Sequence, residues 1–312
     1  MDQEVRQKPG QWRRLARRFR PGRIGRMVWR SGRVLYRAVT HFQQEDGLYM
    51  ASALAFSLIV AIFPFILLLT AIAGFIGDRE LANYLTVTVF DVFPSQVANA
   101  LEPEIWNVLV RDRGGGIVTV SVVIVLASVT SAVETVRGGL NRAYGVREAR
   151  SILRTVPASV LFVLIATLTL IVVAFLAVIF PIAYAFIDPR LPEVPAPITL
   201  LEMIRNAVVT LVLAAMLWAF HRWLPAHGRQ RPALWPGILF TLLMWWAASQ
   251  LFSWYMSGVA DYARYYAGLA GIIAALLFFY IAAAILLVAG ALNRAIHEER
   301  RKRRVVRTLT GS

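Results

Sequence analysis

The sequence predicts an all-α, polytopic membrane protein with six transmembrane helices. Hydrophobic residues make up 58% of its 312 residues, and charged residues make up only 16%. A bilayer hydrocarbon core about 30 Å thick requires about 20 consecutive apolar residues in a helix. Six stretches meet this length, at residues 50–76, 116–133, 158–187, 198–224, 233–256 and 267–292.

The distribution of basic residues predicts the orientation of these helices. Most of the 33 lysine and arginine residues lie in segments 1–49, 134–157, 221–232 and 293–312, which fall on one side of the membrane. The other side carries Arg79, Arg111, Arg113, Arg190, Arg205 and Arg264. Short loops rich in lysine and arginine remain in the cytoplasm. Both termini are therefore predicted to be cytoplasmic, in a protein of the plasma membrane.

Residues 1–47 are predicted to form a basic cytoplasmic segment that contains an amphipathic helix. Ile24, Leu35 and Ala38 recur at helical spacing within residues 24–41, and arginines occupy much of the remaining surface. Such a helix can lie in the membrane interface with its apolar side buried. For residues 1–20, a disordered basic tail that only enforces the topology is an equal alternative. Residues 294–312 are predicted to form a second basic cytoplasmic tail.

The segment between the first two transmembrane helices, residues 77–115, is too apolar for a simple solvated loop. Val97, Leu101, Ile105 and Leu109 lie four residues apart, which is the spacing of one face of a helix. We therefore expect one or two short amphipathic helices that cap the outer end of the bundle.

Two prolines inside predicted transmembrane helices are candidate hinges. Pro64 lies in the middle of the first helix, and Pro181 lies near the outer end of the third. A proline within a helix leaves the carbonyl four residues earlier without its hydrogen bond and can kink the helix. Such a kink can act as a hinge in transport, although most kinks are only structural.

The predicted membrane region contains polar side chains but almost no charge. Ser52, Ser57 and Gln250 supply neutral groups, and Glu134 at the inner end of the second helix precedes Arg137 by about one turn. Ionisable side chains in hydrocarbon are costly and mark ion or proton pathways. Their scarcity argues against a proton-driven pump with a carboxylate in mid-membrane. The pattern is compatible with a polar cavity or with a lateral path for an amphipathic lipid.

A net charge of +15 and a pI near 11.0 are compatible with binding to nucleic acid or to anionic lipid. The positive-inside distribution already explains the excess charge, and a basic cytoplasmic surface attracts anionic headgroups. We therefore expect membrane lipids with anionic headgroups as partners at the cytoplasmic face, and no specific nucleic acid. Association between copies of the chain is left open.

The sequence contains no motif for catalysis or for cofactor binding. There is no cysteine, and His41, His221, His227 and His297 lack the spacing and the carboxylates of zinc motifs. Glycine-rich phosphate loops and the Gly-x-Ser-x-Gly motif of serine hydrolases are also absent. The sequence predicts a protein that is not an enzyme, with no catalytic residues, no metal and no cofactor.

Several short strings of residues occur in an order and spacing typical of one protein family. They are ASALAF at 51–56 leading to Phe63-Pro64, LNRAYGVR at 140–147, Leu224-Pro225, WPG at 235–237, YMS at 255–257, YAGLAG at 266–271 and GALN at 290–293. Together they resemble the YihY/BrkB family of bacterial inner-membrane proteins. The resemblance extends over residues 47–293, nearly the whole membrane domain.

Two of these strings depart from the family pattern. Residues 266–271 read Tyr-Ala-Gly-Leu-Ala-Gly, where family members have Tyr-Gly-Ser-Leu-Ala-Gly. Leu292 stands where a glutamate commonly precedes the final asparagine, Asn293. If that glutamate couples transport or binds substrate in relatives, this protein lacks it or uses Glu134 instead.

The resemblance implies a six-helix protein of the bacterial inner membrane. Members of the family carry the labels tRNA-processing ribonuclease, serum-resistance virulence factor, and transporter of an envelope lipid or lipopolysaccharide precursor. Ribonuclease activity conflicts with the residues, because metal-dependent RNA cleavage requires clustered carboxylates or histidines and a hydrated metal. We therefore expect a protein that transports or handles an amphipathic envelope molecule such as a lipid. The alternatives are a membrane scaffold or assembly factor without a substrate and, less favoured, a membrane-tethered ribonuclease.

A basic turn after the second transmembrane helix is the predicted headgroup site. Asn141 and Tyr144 are expected to shape this turn. Four basic side chains are expected to hold the headgroup, namely Arg137, Arg142, Arg147 and Arg150. The alternative is that these arginines only enforce the topology beside a helix-end turn.

Overall fold

A computed structural model describes residues 23–76, 115–174, 176, 196–227, 232–263 and 267–310. Within these ranges the chain forms seven helices and no β-strand. The helices are α1 (Arg23–Gln44), α2 (Gly47–Ile76), α3 (Gly115–Tyr144), α4 (Ile152–Ala174), α5 (Ala196–Trp223), α6 (Trp235–Ala263) and α7 (Ala267–Thr310). The predicted all-α class is thus confirmed for the described part of the chain.

Four segments of these helices are long and apolar enough to cross a bilayer, judged by length and composition. They are Ile152–Leu170, Glu202–Trp223, Trp235–Tyr255 and Ile273–Val305, and they correspond to the third to sixth predicted transmembrane helices. The described apolar stretch of α2 is shorter, at Gly47–Ala61. The fold is therefore that of a membrane protein with several long apolar helices.

The long helix α7 lies at the centre of the described bundle. It packs against α1, α2, α3 and α6, while α4 contacts α3 and α5, and α5 contacts α6. From α2 to α7 successive helices run antiparallel, whereas α1 and α2 follow one another along α7. As a result, the ends of α1, α3 and α5 and the starts of α2, α4 and α6 meet around Asn293 of α7. We call this region the basic end of the bundle.

Three helices approach one another closely near the basic end. Gly139 of α3 faces the buried side chains of Leu54 on α2 and Leu287 on α7. A methyl group at position 139 would lie 3.0 Å from a carbon of Leu287 and 3.2 Å from a carbon of Leu54. Small residues allow helix backbones to approach in this way, so Gly139 fixes how α2, α3 and α7 fit together.

Helix α1 is tied to the part of α7 that follows Asn293. Ala38 and Phe42 of α1 are buried. Two ion pairs join this region to α7, namely Arg37–Glu299 (2.8 Å) and Glu45–Arg294 (3.1 Å), and His41 Nε2 lies 3.6 Å from Glu298, a contact that is charged only when the imidazole is protonated. The amphipathic helix predicted within residues 24–41 is therefore present and lies against α7. Its location in the membrane interface stays a prediction.

Helix α7 is much longer than a bilayer requires. Its 44 residues correspond to about 66 Å at about 1.5 Å per residue, which is roughly twice a hydrocarbon core of about 30 Å. The segment 294–310, predicted as a basic tail, is a helical continuation of α7. The last 17 residues of α7, 294–310, therefore project beyond the basic end.

Several predictions concern residues outside the described ranges. These are the basic tail over residues 1–22, the outer helical cap over residues 77–114 and the candidate hinge Pro181. Pro64, the other candidate hinge, lies within α2, which continues as one helix from Gly47 to Ile76.

Candidate functional site

Four polar residues from different helices and loops meet inside the basic end. They are Tyr144 at the end of α3, His221 near the end of α5, His227 in the loop that follows and Asn293 in α7, and all four are buried. We call them the buried polar cluster. Because polar groups removed from water require hydrogen-bond partners, this cluster constrains how the four segments can pack.

Asn293 caps the start of α6 from a neighbouring helix. Its Oδ1 accepts a hydrogen bond from the backbone N–H of Gly237 at 2.8 Å, and its Nδ2 donates to the carbonyl of Leu234 at 3.2 Å. The first N–H groups of a helix have no partner within the helix. A Cβ at position 237 would collide with the Asn293 amide, so glycine is required for this contact.

Tyr144 links Asn293 to His221. Its hydroxyl accepts from Asn293 Nδ2 at 3.0 Å and lies 2.8 Å from His221 Nδ1. Burial raises the pKa of the Tyr144 phenol, so the hydroxyl keeps its proton and donates it to Nδ1. The proton of the neutral His221 ring is then on Nε2, which is buried without a hydrogen-bond partner among the described residues.

His227 closes the cluster on the side of the loop after α5. Its Nε2 lies 2.7 Å from the carbonyl oxygen of His221, and only a protonated nitrogen can donate there. The ring packs edge-on against Tyr144, with centroids 4.5 Å apart. The loop is thereby held against the end of α3.

Arg137 and Glu134 form a second polar group, between α3 and α4. The guanidinium lies 2.5 Å from the Glu134 carboxylate and also bonds to Ser159 Oγ at 2.5 Å and to the carbonyl of Thr155 at 3.1 Å. Ser159 Oγ donates to Glu134 at 2.6 Å. Glu134 and Arg137, one helical turn apart in the sequence, thus form an ion pair, and Ser159 on α4 completes the group.

The turn after α3 is fastened to the end of α5. Gly145 has a φ of 63°, in the left-handed region that glycine adopts easily. Asn141 Oδ1 accepts from the N–H of Ala226 at 2.8 Å, and its Nδ2 donates to Glu148 at 3.1 Å. Arg150 binds Glu148 through two hydrogen bonds of 2.7 Å.

Arg150 also bonds to carbonyls at the end of α5, and Arg150 and Glu148 shift each other's pKa. Arg150 donates to the carbonyls of Trp223 at 3.3 Å and Leu224 at 2.6 Å, which satisfies carbonyls at the end of α5 that lack helical partners. The hydrogen bonds from Arg150 lower the pKa of Glu148 to about 2, while the same carboxylate raises the pKa of Arg150.

The six predicted headgroup residues do not form one surface. Arg137, Asn141 and Tyr144 are buried and bound to other parts of the protein. Arg150 is half-buried in the contacts described above. Arg142 and Arg147 remain exposed, with Arg142 at 3.5 Å from Asp46. Within the predicted set, Arg142 and Arg147 are therefore the two exposed side chains.

The predicted intramembrane polar residues also differ in their surroundings. Ser52 is exposed and donates to the carbonyl of Leu48 at 3.1 Å, and Ser57 donates to Thr135 Oγ1 at 3.3 Å. Gln250 is exposed on α6. Glu134 alone among the four belongs to a polar group that joins two helices through several bonds.

The sequence did not predict the roles of His221, His227, Asn293 and Ser159. In the sequence, the histidines stand out only as potential metal ligands, and Asn293 only as part of a family string. Among the described residues, no group of three or more histidine, aspartate or glutamate side chains could hold a metal ion. A polar residue inside an apolar helix, such as Asn293, was the available signal, because such a residue must find a partner.

Comparisons with known proteins agree with the resemblance seen in the sequence. The profile described as virulence factor BrkB matches residues 38–309. The chain is 24% identical over 267 residues to the putative ribonuclease-like protein YfkH of Bacillus subtilis (strain 168), covering 84% of this chain and 94% of that protein. No solved structure matches. Because the family match covers most of the chain, including the buried polar cluster, the protein belongs to the virulence factor BrkB family.

Proposed function

We propose that this protein is a six-helix protein of the bacterial inner membrane that handles or moves an amphipathic envelope molecule, in the first place a lipid. Both termini and the basic end then face the cytoplasm, in line with the positive-inside distribution. The role requires neither catalysis nor a metal or cofactor. Its partners are anionic lipid headgroups at the cytoplasmic face.

The difference between the two ends of the described bundle carries this proposal. At the basic end, Asn293 and His221 are fully buried, and hydrogen bonds of the polar cluster join α3, α5, α6 and α7. Away from that end, α5 over residues 202–211 and α6 over residues 246–255 are exposed around most of their circumference. A helix exposed in this way has little contact with its neighbours. The described bundle is therefore closed at one end and loosely packed towards the other.

Gln250 gives the loosely packed region a polar character. It is exposed, and the described residues offer its amide no hydrogen-bond partner. It lies about 22 Å along α6 from Trp235 at about 1.5 Å per residue, within the depth of a hydrocarbon core of about 30 Å. An amide without a partner in an apolar medium costs about 2–7 kcal/mol. A polar group of a bound amphipathic molecule would remove that cost.

Arg142 and Arg147 supply positive charge on the outside of the basic end. Both are exposed, and Ile152 and Leu153 follow in the chain with side chains that are 76% and 86% exposed. Guanidinium groups beside exposed apolar side chains are suited to the boundary between headgroups and acyl chains. These two arginines are therefore the contacts we assign to the headgroup.

Two other functions remain as alternatives. A scaffold without a substrate could use the ion-paired surface of α1 and α7 beyond the basic end as a docking site. A membrane-tethered ribonuclease is raised by the name of the Bacillus relative. The described residues provide no three-residue cluster for the metal that such cleavage requires, so we do not favour it.

Native mass spectrometry of the protein released from its own membrane tests the lipid role. The unmodified protein should retain an anionic lipid at a defined stoichiometry, and the double variant Arg142→Gln/Arg147→Gln should lose it, because the headgroup contacts are gone. The control is Arg301→Gln/Arg304→Gln. It removes the same charge from exposed side chains on the part of α7 beyond the basic end and should retain the lipid.

The other outcomes separate the three functions. Equal lipid retention by both double variants would refute the headgroup role of Arg142 and Arg147. A stoichiometric protein partner in place of the lipid would favour the scaffold. Metal-dependent RNA cleavage by the pure protein would favour the ribonuclease.

A further inference from the structure

A partly open cavity lies at the basic end beside the last turn of α5. Its volume is about 230 Å³, and the described residues that line it are Arg222, His227, Pro232 and Leu234. A water molecule takes up about 30 Å³ in the liquid. The cavity therefore has room for a phosphate group together with part of the molecule that carries it.

The described lining offers a guanidinium and an imidazole but no carboxylate. Arg222 is exposed, and no acidic residue in the described ranges forms an ion pair with it. Glu148, the acidic residue of the neighbouring turn, is already held by Arg150 through two hydrogen bonds. The planar guanidinium can bind two oxygens of a phosphate group at once. The free charge of Arg222 thus favours an anion as the occupant.

The surroundings of His227 carry an excess of positive charge. Burial lowers the pKa of His227, and the hydrogen bond to the His221 carbonyl only partly opposes this. The charges of Arg222, Arg150 and His297 lower the pKa further. The repulsion among several positive charges around one imidazole decreases when an anion binds between them. The positive charge around His227 and the lining of the cavity therefore both favour an anion as the occupant.

The aromatic residues next to the cavity indicate its depth in the membrane. Trp223 follows Arg222 in the chain and Trp235 follows Leu234, and their side chains are 52% and 59% exposed. Tryptophan rings concentrate at the level of the lipid headgroups. The cavity thus lies where the phosphates of a lipid monolayer would lie.

We propose that this cavity binds an anionic phosphate ester, with the guanidinium of Arg222 as the first donor and His227, protonated on Nδ1 when the anion binds, as the second. The affinity for phosphate follows from the cavity and its charges, whereas the assignment of that phosphate to a lipid headgroup rests on the proposed lipid-handling function. Zwitterionic lipids that carry a quaternary ammonium group are disfavoured, because the surroundings are already positive.

The test measures thermal unfolding of the full-length protein in nanodiscs. In one arm, phosphatidylcholine nanodiscs are titrated with inorganic phosphate. In the other, phosphatidylglycerol replaces part of the phosphatidylcholine. The unmodified protein should be stabilised in at least one arm, and Arg222→Gln should weaken the apparent affinity at least tenfold. Arg301→Gln, an exposed change on α7, should have no effect, and Arg222→Lys should retain part of the binding.

Each outcome has a definite meaning. Stabilisation by phosphatidylglycerol alone assigns a lipid headgroup, and stabilisation by inorganic phosphate alone assigns a free phosphate. No stabilisation in either arm, or equal stabilisation of the Arg222→Gln variant, overturns the proposal. As a second readout, phosphate binding should raise the pKa of His227 in histidine NMR spectra, and an unchanged pKa would count against the site. This test does not depend on Arg142 or Arg147, so it can fail while the lipid-handling proposal stands.

Discussion

Replacement of Asn293 by alanine would show how strongly the buried polar cluster stabilises the basic end. The Asn293 side chain is fully buried. It bonds to the N–H of Gly237, the carbonyl of Leu234 and the hydroxyl of Tyr144. The Asn293→Ala variant removes all three hydrogen bonds and leaves their partners in place.

The expected loss of stability can be worked out from these three contacts. The Leu234 carbonyl keeps a hydrogen bond from the N–H of Ile238 at 3.1 Å, and the Tyr144 hydroxyl keeps its bond to His221. The N–H of Gly237 loses its partner. A buried donor without a partner costs about 1–3 kcal/mol, and the space vacated by the amide adds about 1 kcal/mol. We therefore expect the free energy of unfolding to fall by about 2–4 kcal/mol.

Unfolding by dodecyl sulfate in mixed micelles, followed by tryptophan fluorescence, measures this difference. The control is Asn206→Ala on the exposed part of α5, which should change the free energy of unfolding by less than about 0.5 kcal/mol. If Asn293→Ala were as stable as the unmodified protein, the hydrogen bonds of the cluster would not be what holds α6 and α7 together.

Two further predictions concern charged groups at the same end. Arg137→Met leaves the Glu134 carboxylate, which is 40% exposed and keeps its bond from Ser159, without its cation, and should lower the free energy of unfolding by about 1–3 kcal/mol. The Glu134→Gln/Arg137→Met double variant should lose less than the sum of the single variants, and strict additivity would contradict the pairing. The pKa of Glu148 lies at about 2 instead of 4.5, so its stabilising effect is present above pH 4.5 and is lost as the pH falls from 4.5 towards 2. Glu148→Gln should therefore reduce the decline of the melting temperature over that interval, whereas Glu202→Gln, an exposed change on α5, should leave the decline unchanged.

Local patterns predicted those contacts that depend on one helix alone. Glu134 and Arg137 are three residues apart, and helix geometry places such side chains on the same face, where the structure has the ion pair. The helix at Arg23–Gln44 followed in the same way from the spacing of its apolar residues. By contrast, the residues of the basic turn predicted as a headgroup site do not share one surface. Asn141 and Tyr144 point into the bundle, where they contact other segments.

The sequence by itself determined the all-helical membrane class and the concentration of positive charge at one end, since hydropathy and charge are properties of each segment. Only the tertiary structure decided which polar side chains meet. Asn293 is separated from Gly237 by 56 positions and from Tyr144 by 149. Their contact depends on the rotation and register of the packed helices. Glycines at close helix contacts, such as Gly139, determine both. That information lies in the fit between surfaces of distant segments, so no single segment of the sequence contains it.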